Sequence, residues 1–134
     1  MSDGSDVLEE PYEYQKLLGY SVTAWAEGEA TLEMPLEAKH GNRYGLPHGG
    51  VHASLLDTAM GFAGSYTGDP EAPQLVMTLS MTVQYLSRPK GQLLIAKGWR
   101  TGGGRKTYFA DAELSDETGE LIAKATGTFR YRSR

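Results

Sequence analysis

Between Gly49 and Gly68 the only residue formally charged at pH 7 is Asp57, set among small and apolar neighbours that include Ala53, Leu55, Leu56, Ala59, Met60, Phe62 and Ala63. A stretch of this length and polarity reads as one buried helix from about Gly50 to Ser65, entered through the turn-forming run Gly45-Leu46-Pro47-His48-Gly49-Gly50. A buried helix must be enclosed, and the rest of the chain supplies strands to enclose it. Downstream, Leu75 to Leu86 alternates, with Leu75, Met77, Leu79, Met81, Val83 and Tyr85 against Val76, Thr78, Ser80, Thr82 and Gln84. Strands at Gln92–Arg100, Thr107–Leu114 and Leu121–Tyr131 follow, separated by Gly102-Gly103-Gly104 and by the polar turn SDETGE.

Upstream, Tyr20–Glu27 alternates with Tyr20, Val22, Ala24 and Ala26 on one face, and Glu29–Pro35 does so with Ala30, Leu32 and Met34. Glu27-Gly28 between them predicts a hairpin. Pro11–Leu18 predicts a short helix stopped by Gly19, and residues 1–9 a loose arm. The expected architecture is α+β: one antiparallel sheet wrapped around one central helix over residues 19–134, with residues 1–18 as an N-terminal arm and short helix. A chain of 134 residues fits a single domain with one core.

Composition narrows the function. A net charge of −4 argues against nucleic acid as the main partner. The lack of any cysteine removes disulfides, thiolate zinc sites and cysteine nucleophiles together. The start MSDGSDVLEE has no apolar signal core, and no apolar run approaches the ~20 residues of a spanning helix. The expectation is a soluble cytoplasmic protein with no membrane partner.

On a helical wheel Gly50, Ala53, Ser54, Asp57, Met60, Gly61 and Gly64 share one side, opposite Leu55, Ala59, Phe62, Ala63 and Tyr66. The larger side is expected to fill the sheet, leaving the smaller one open to a ligand or another subunit. Asp57 is then either a structural carboxylate tied down by a hydroxyl or an arginine, or a group put to chemical use. His48-Gly49-Gly50 places unobstructed N–H groups at the positive end of the helix dipole, where they can hold an anion or a polarised carbonyl. Asp57 stands roughly 10 Å along the axis from Gly50, too far for one acyl carbon to touch both. If both act, they come from different chains, as in a homodimer whose helices run antiparallel across a two-fold axis.

His48 and His52 have a metal-compatible spacing, but no Glu follows and no third ligand is in view, so His52 is expected to be an ordinary partly buried histidine. The run Thr101 to Thr107 (TGGGRKT) lies between strands, and Arg105 breaks its Gly-Lys order, so it is not expected to be a nucleotide P-loop. The tail Arg130-Tyr131-Arg132-Ser133-Arg134 is expected to be solvated.

The residues Asn42, Gly45, His48, Gly49, Gly50, Leu55 and Asp57 fill the pattern Asn-x-x-Gly-x-x-His-Gly-Gly-x-x-x-x-Leu-x-Asp at all seven fixed positions. In this strand–helix–strand context the chain resembles the hotdog-fold acyl-CoA thioesterases of the phenylacetate-degradation type, from about residue 18 to the end. The resemblance implies that Asp57 activates water or attacks the thioester, and that the Gly49 N–H polarises its carbonyl. It implies Asn42 as an orienting group, His48 as support for the loop, and a strand hydroxyl on the carboxylate. Thr78 fits that place by counting, although the alternation puts it on the polar face; Ser80 and Thr82 are rivals. Thioesters lack strong resonance stabilisation, so one base and one N–H donor can suffice, with coenzyme A only as part of the substrate and no metal or cofactor.

Gly50 joins Gly49 at the carbonyl end, and Tyr44 and Met60 are candidate acyl-pocket walls, Phe62 belonging rather to the core. Arg88 and Lys90, or the Gly103 turn with Arg105 and Lys106, are candidates for the coenzyme A phosphates, against a reading of each as a solubilising edge charge. Dimers that pair into tetramers are compatible with this reading. Two other functions remain open, a hydratase on the same fold and a non-catalytic acyl-CoA-binding module.

Overall fold

The computed structural model describes residues 8–133, so most of the arm expected at residues 1–9, and Arg134, lie outside the described residues. A short helix α1 (Glu13–Leu18) leads into the hairpin β1 (Ser21–Ala26) and β2 (Glu29–Pro35), and a 3-10 turn (Ala38–His40) precedes the long helix α2 (Gly49–Ser65). Strands β3 (Leu75–Tyr85), β4 (Leu93–Gly103), β5 (Thr107–Asp116) and β6 (Leu121–Arg132) complete one antiparallel six-stranded sheet in the order β1-β2-β4-β5-β6-β3. The sheet curls around α2, which touches all six strands. This is the expected hotdog architecture. Strand β4 runs through Gly103 before it turns, so Gly103 belongs to a strand end rather than to an open loop.

Glycine sets how closely helix and sheet approach. A Cβ on Gly98 of β4 would stand 2.5 Å from the Ala59 carbonyl oxygen, so α2 lies backbone-to-backbone on the sheet there. At Gly64 a Cβ would stand 2.0 Å from the Tyr108 ring, whose hydroxyl donates to the Met60 carbonyl at 3.0 Å and the Gly61 carbonyl at 3.2 Å. Gly64 is therefore covered by β5 rather than open, contrary to the wheel.

Two β-bulges correct the strand patterns. In β1 the register shifts between Val22 and Ala24, so Trp25 turns inward where Ala24 and Ala26 were expected, and its Nε1 donates to the Phe62 carbonyl at 2.7 Å. In β3 the shift falls between Thr78 and Ser80. Val76 and Thr78 face α2 before the bulge, and Met81 and Val83 pack on the core after it. Leu75, Met77 and Leu79 are left exposed, because one extra residue reverses the parity of everything before it.

At the far end of the sheet Asp116 is buried and accepts from the backbone N–H groups of Lys90 and Gly91 and from the N–H and hydroxyl of Thr118. Burial raises its pKa, but the Thr118 hydroxyl and the Gly91, Lys90 and Thr118 amides outweigh that effect and hold the carboxyl well below the usual range. It fixes the β3–β4 connection.

Gly98→Val should lower stability by about 2 kcal/mol or more, through overpacking against the Ala59 carbonyl. Gly104→Ala, with open space around the new methyl, should stay within about 0.5 kcal/mol of the parent. Urea unfolding of the two variants beside the parent checks the pair.

Candidate active site

The helix buries His52, Leu55, Leu56, Ala59, Met60 and Ala63, a stripe spaced i, i+3, i+4, i+7, i+8, i+11. Met60 is 0% exposed and belongs to the core, so it is not an acyl-pocket wall. The wrapped sheet covers a wider arc than half the helix, and that arc takes in Met60. Asp57, Gly61 and Ser54 fall outside the stripe.

Asp57 is half-buried, and Thr78 Oγ1 donates to its Oδ1 at 2.7 Å. The bulge is what aims Thr78 at the helix. Thr82 lines a separate groove with Trp99 and Lys124. Asp57 and Thr78 open onto a cleft of about 250 Å³.

His48 is the N-cap of α2, and its Nδ1 accepts from the Gly50 N–H at 2.7 Å. That bond takes up one of the donors at the helix start and requires Nδ1 to present a lone pair. Gly49 N–H finds no acceptor among the described residues. Tyr85 was not singled out by sequence, yet its hydroxyl donates to the Gly49 carbonyl at 2.9 Å, and its ring would meet a Cβ on Gly49 at 3.3 Å. The Gly49–Gly50 peptide is thus held at both ends, by Tyr85 on its oxygen and His48 on its nitrogen.

Asn42 uses Oδ1 to accept from the N–H groups of Tyr44 at 2.8 Å and Leu46 at 3.1 Å, closing a loop in which Gly45 has φ +77°. Within one chain it shapes the loop before α2 and does not touch Asp57. His40, which no spacing pointed to, is buried and ties the same region to α1: its ring bonds the Glu37 N–H and the Leu18 carbonyl, and its own carbonyl accepts from His48 N–H. Tyr44 is 71% exposed, with Arg43 stacked on its ring, and lies outside the Asp57 cleft.

The four candidate phosphate ligands do not form one patch within a chain. Arg88 and Lys90 follow the Tyr85 end of β3, and Lys90 pairs with Glu120 at 3.2 Å. Arg105 and Lys106 turn between β4 and β5 at the Leu75 end, because Thr107 pairs with Arg130 and Leu75 with Arg132. Roughly 30 Å of strand separates the pairs.

Residues 44–123 match the model of the thioesterase superfamily, and the chain belongs to that family. It is a hotdog-fold thioester hydrolase. Human acyl-coenzyme A thioesterase 13 is 28% identical over 120 residues, covering 86% of this chain and 82% of that one. A solved conserved protein from Pseudomonas aeruginosa superposes with TM-score 0.82 at 27% identity, covering 90% of this chain and 94% of the other. A mutant of the phenylacetic acid degradation protein PaaI from Thermus thermophilus gives 0.74 at 27%, with coverages of 90% and 98%.

His52 is 5% exposed, more deeply buried than its sequence context suggested, and both ring nitrogens lack a hydrogen-bond partner among the described residues. Burial, and then the proximity of His48, lower its pKa from 6.5. The unfolded chain therefore takes a proton that the folded chain refuses, and stability should fall as pH drops below about 6.5. His52→Leu should be at least as stable as the parent at pH 7 and lose stability less steeply toward pH 5, as read from urea unfolding at each pH.

Proposed function

We propose that the protein hydrolyses an acyl-CoA thioester to the free acid and coenzyme A, at sites shared between two copies of the chain. The observation that carries this reading is the Asp57–Thr78 contact at a cleft. Thr78 holds Oδ1 and so leaves Oδ2 of the carboxylate for the reaction. In the general-base form, Oδ2 takes a proton from water as the water oxygen attacks the thioester carbonyl. The Gly49 N–H stabilises the oxyanion at the positive end of α2, an interaction of the kind worth about 10²–10³ in rate. Collapse breaks the C–S bond, and the thiolate leaves with the proton that Asp57 took. In the nucleophilic form, Oδ2 attacks the carbonyl carbon and the C–S bond breaks, giving a mixed anhydride and the thiolate; water then cleaves the anhydride to the free acid and the Asp57 carboxylate, and the proton it releases goes to the thiolate.

The two-chain arrangement is supported by where the halves sit. Asp57 meets Thr78 near one end of β3, and Gly49 meets Tyr85 at the other. Strand β3 is an edge strand with exposed apolar residues, suited to pairing with a second copy. Antiparallel pairing of two β3 edges sets one chain's Asp57 toward the other's Gly49. It also sets Arg105 and Lys106 of one chain toward Arg88 of its partner, one arrangement in which these residues serve the coenzyme A phosphates together.

A free-thiol assay over aromatic, short, medium and long acyl-CoAs tests the reaction. Asp57→Asn should lower kcat by at least about 10²-fold while keeping the assembly of the parent in sedimentation. Thr78→Val should lower kcat by about tenfold, because the carboxylate loses its anchor. Full activity in Asp57→Asn overturns the assignment, and tight acyl-CoA binding with no thiol released would indicate a binding module.

A further inference from the structure

The outer face of the sheet, turned away from α2, takes no part in the site around Asp57, and its two halves differ in chemistry. Directly paired residues on antiparallel strands project from the same face. Across β3, β6, β5 and β4 the rows Thr82–Thr126–Asp111–Trp99 and Gln84–Lys124–Glu113–Lys97 are polar and mixed in charge. Toward the Leu75 end the face changes. Leu75 stands opposite Arg132 and Met77 opposite Arg130, while Phe109 pairs with Thr128 and Leu79 sits at the bulge beside it.

The β3 bulge creates this corner. It turns Leu75, Met77 and Leu79 outward, at 48%, 44% and 50% exposure, on the face where Phe109 is 49% exposed. Apolar side chains gathered at one corner differ from the scattered single ones that folding leaves outside. The run Arg130-Tyr131-Arg132, expected from sequence to be a solvated tail, is the end of β6, and its arginines flank the apolar side chains. Arg105 and Lys106 lie in the adjoining β4–β5 turn, where the Lys106 carbonyl accepts from Tyr131 N–H. All of these cations are exposed, and among the described residues none is in an ion pair. They collect at one corner of a chain whose net charge is −4.

Pairing of the β3 edge with a second copy leaves the corner open. Such pairing uses backbone groups in the plane of the sheet, and these side chains stand perpendicular to it. Packing the corner on its own copy brings two sets of the same cations together, which like-charge repulsion opposes. A recess for an anchoring side chain is found on this face only in the polar half, around Trp99 and Lys124, among the described residues. An anionic bilayer meets both halves of the chemistry. Arginines reach its headgroups while leucine, methionine and phenylalanine enter the boundary with the acyl chains.

We propose that Leu75, Met77, Leu79 and Phe109, with Arg130 and Arg132, form a peripheral docking surface for an anionic lipid bilayer. The proposal does not depend on which reaction the Asp57 cleft carries out.

The test is cosedimentation of the full chain with vesicles of phosphatidylcholine alone and of phosphatidylcholine with about one-third phosphatidylserine. The parent should pellet with the anionic vesicles, stay in solution with the neutral ones, and be released by about 1 M salt. Arg130→Glu should weaken binding about tenfold, while Lys124→Glu, the same change of charge on the polar half of the face, stays within about twofold. Met77→Ser combined with Phe109→Ser should also weaken binding about tenfold, because apolar contact is lost with the charge intact. If that double variant fails to fold, the comparison of Arg130→Glu with Lys124→Glu decides. Failure of the parent to pellet with anionic vesicles, or equal losses in Arg130→Glu and Lys124→Glu, overturns the proposal. Unchanged binding in the folded double variant also overturns it, in favour of a site for polyanions at large. A smaller assembly for the double variant in sedimentation velocity assigns the corner to a second copy instead, and overturns it too.

Discussion

The contact on which the rest of the molecule depends is the one between the Ala59 backbone and Gly98. Packing a helix against a sheet ordinarily leaves a layer of side chains between the two backbones. Here one missing Cβ on β4, and another at Gly64 opposite Tyr108, let α2 sink into the sheet. That depth decides which helix residues are enclosed and which stay at the surface. Met60 is drawn in, and Asp57 is left at the edge of the enclosed arc, within reach of Thr78. A shallower helix would leave the carboxylate beyond the reach of a strand hydroxyl.

The order of the elements was legible because each strand carries its own alternation and the helix its own polarity, both local properties. The motif from Asn42 to Asp57 was legible because it is compact in sequence. What could not be read were the places where one residue changes parity. The bulge after Thr78 turns Leu75, Met77 and Leu79 outward, and nothing in their own chemistry marks the shift. The same holds for Trp25, which a bulge in β1 turns inward. His40 and Tyr85 were missed for another reason. Their roles are hydrogen bonds to backbone groups distant in sequence, and a backbone acceptor leaves no trace in residue type.

The helix start shows how a glycine pair becomes specific. Two adjacent glycines offer two similar N–H groups, and the sequence alone treats them alike. His48 engages the second, so the pair is no longer equivalent and Gly49 carries the available donor. Tyr85 completes the immobilisation from the sheet side. Preorganisation of this kind means that a donor need not reorient as charge develops on an acyl oxygen. Asn42 contributes at one remove, by closing the loop that delivers His48 to its place.

Strand β3 anchors both halves of the proposed site, Asp57 through Thr78 and Gly49 through Tyr85, yet among the described residues it has a sheet neighbour on one side only. Edge strands open more readily than central ones, because fewer backbone bonds must break to release them. The orientation of Asp57 and of the Gly49 carbonyl is therefore linked to the occupancy of one row of free backbone groups. By mass action, whatever ligates that row stabilises the ordered strand, and order at the strand is order at the carboxylate. Under the proposed function, association along this edge and chemical competence would be two readings of one equilibrium.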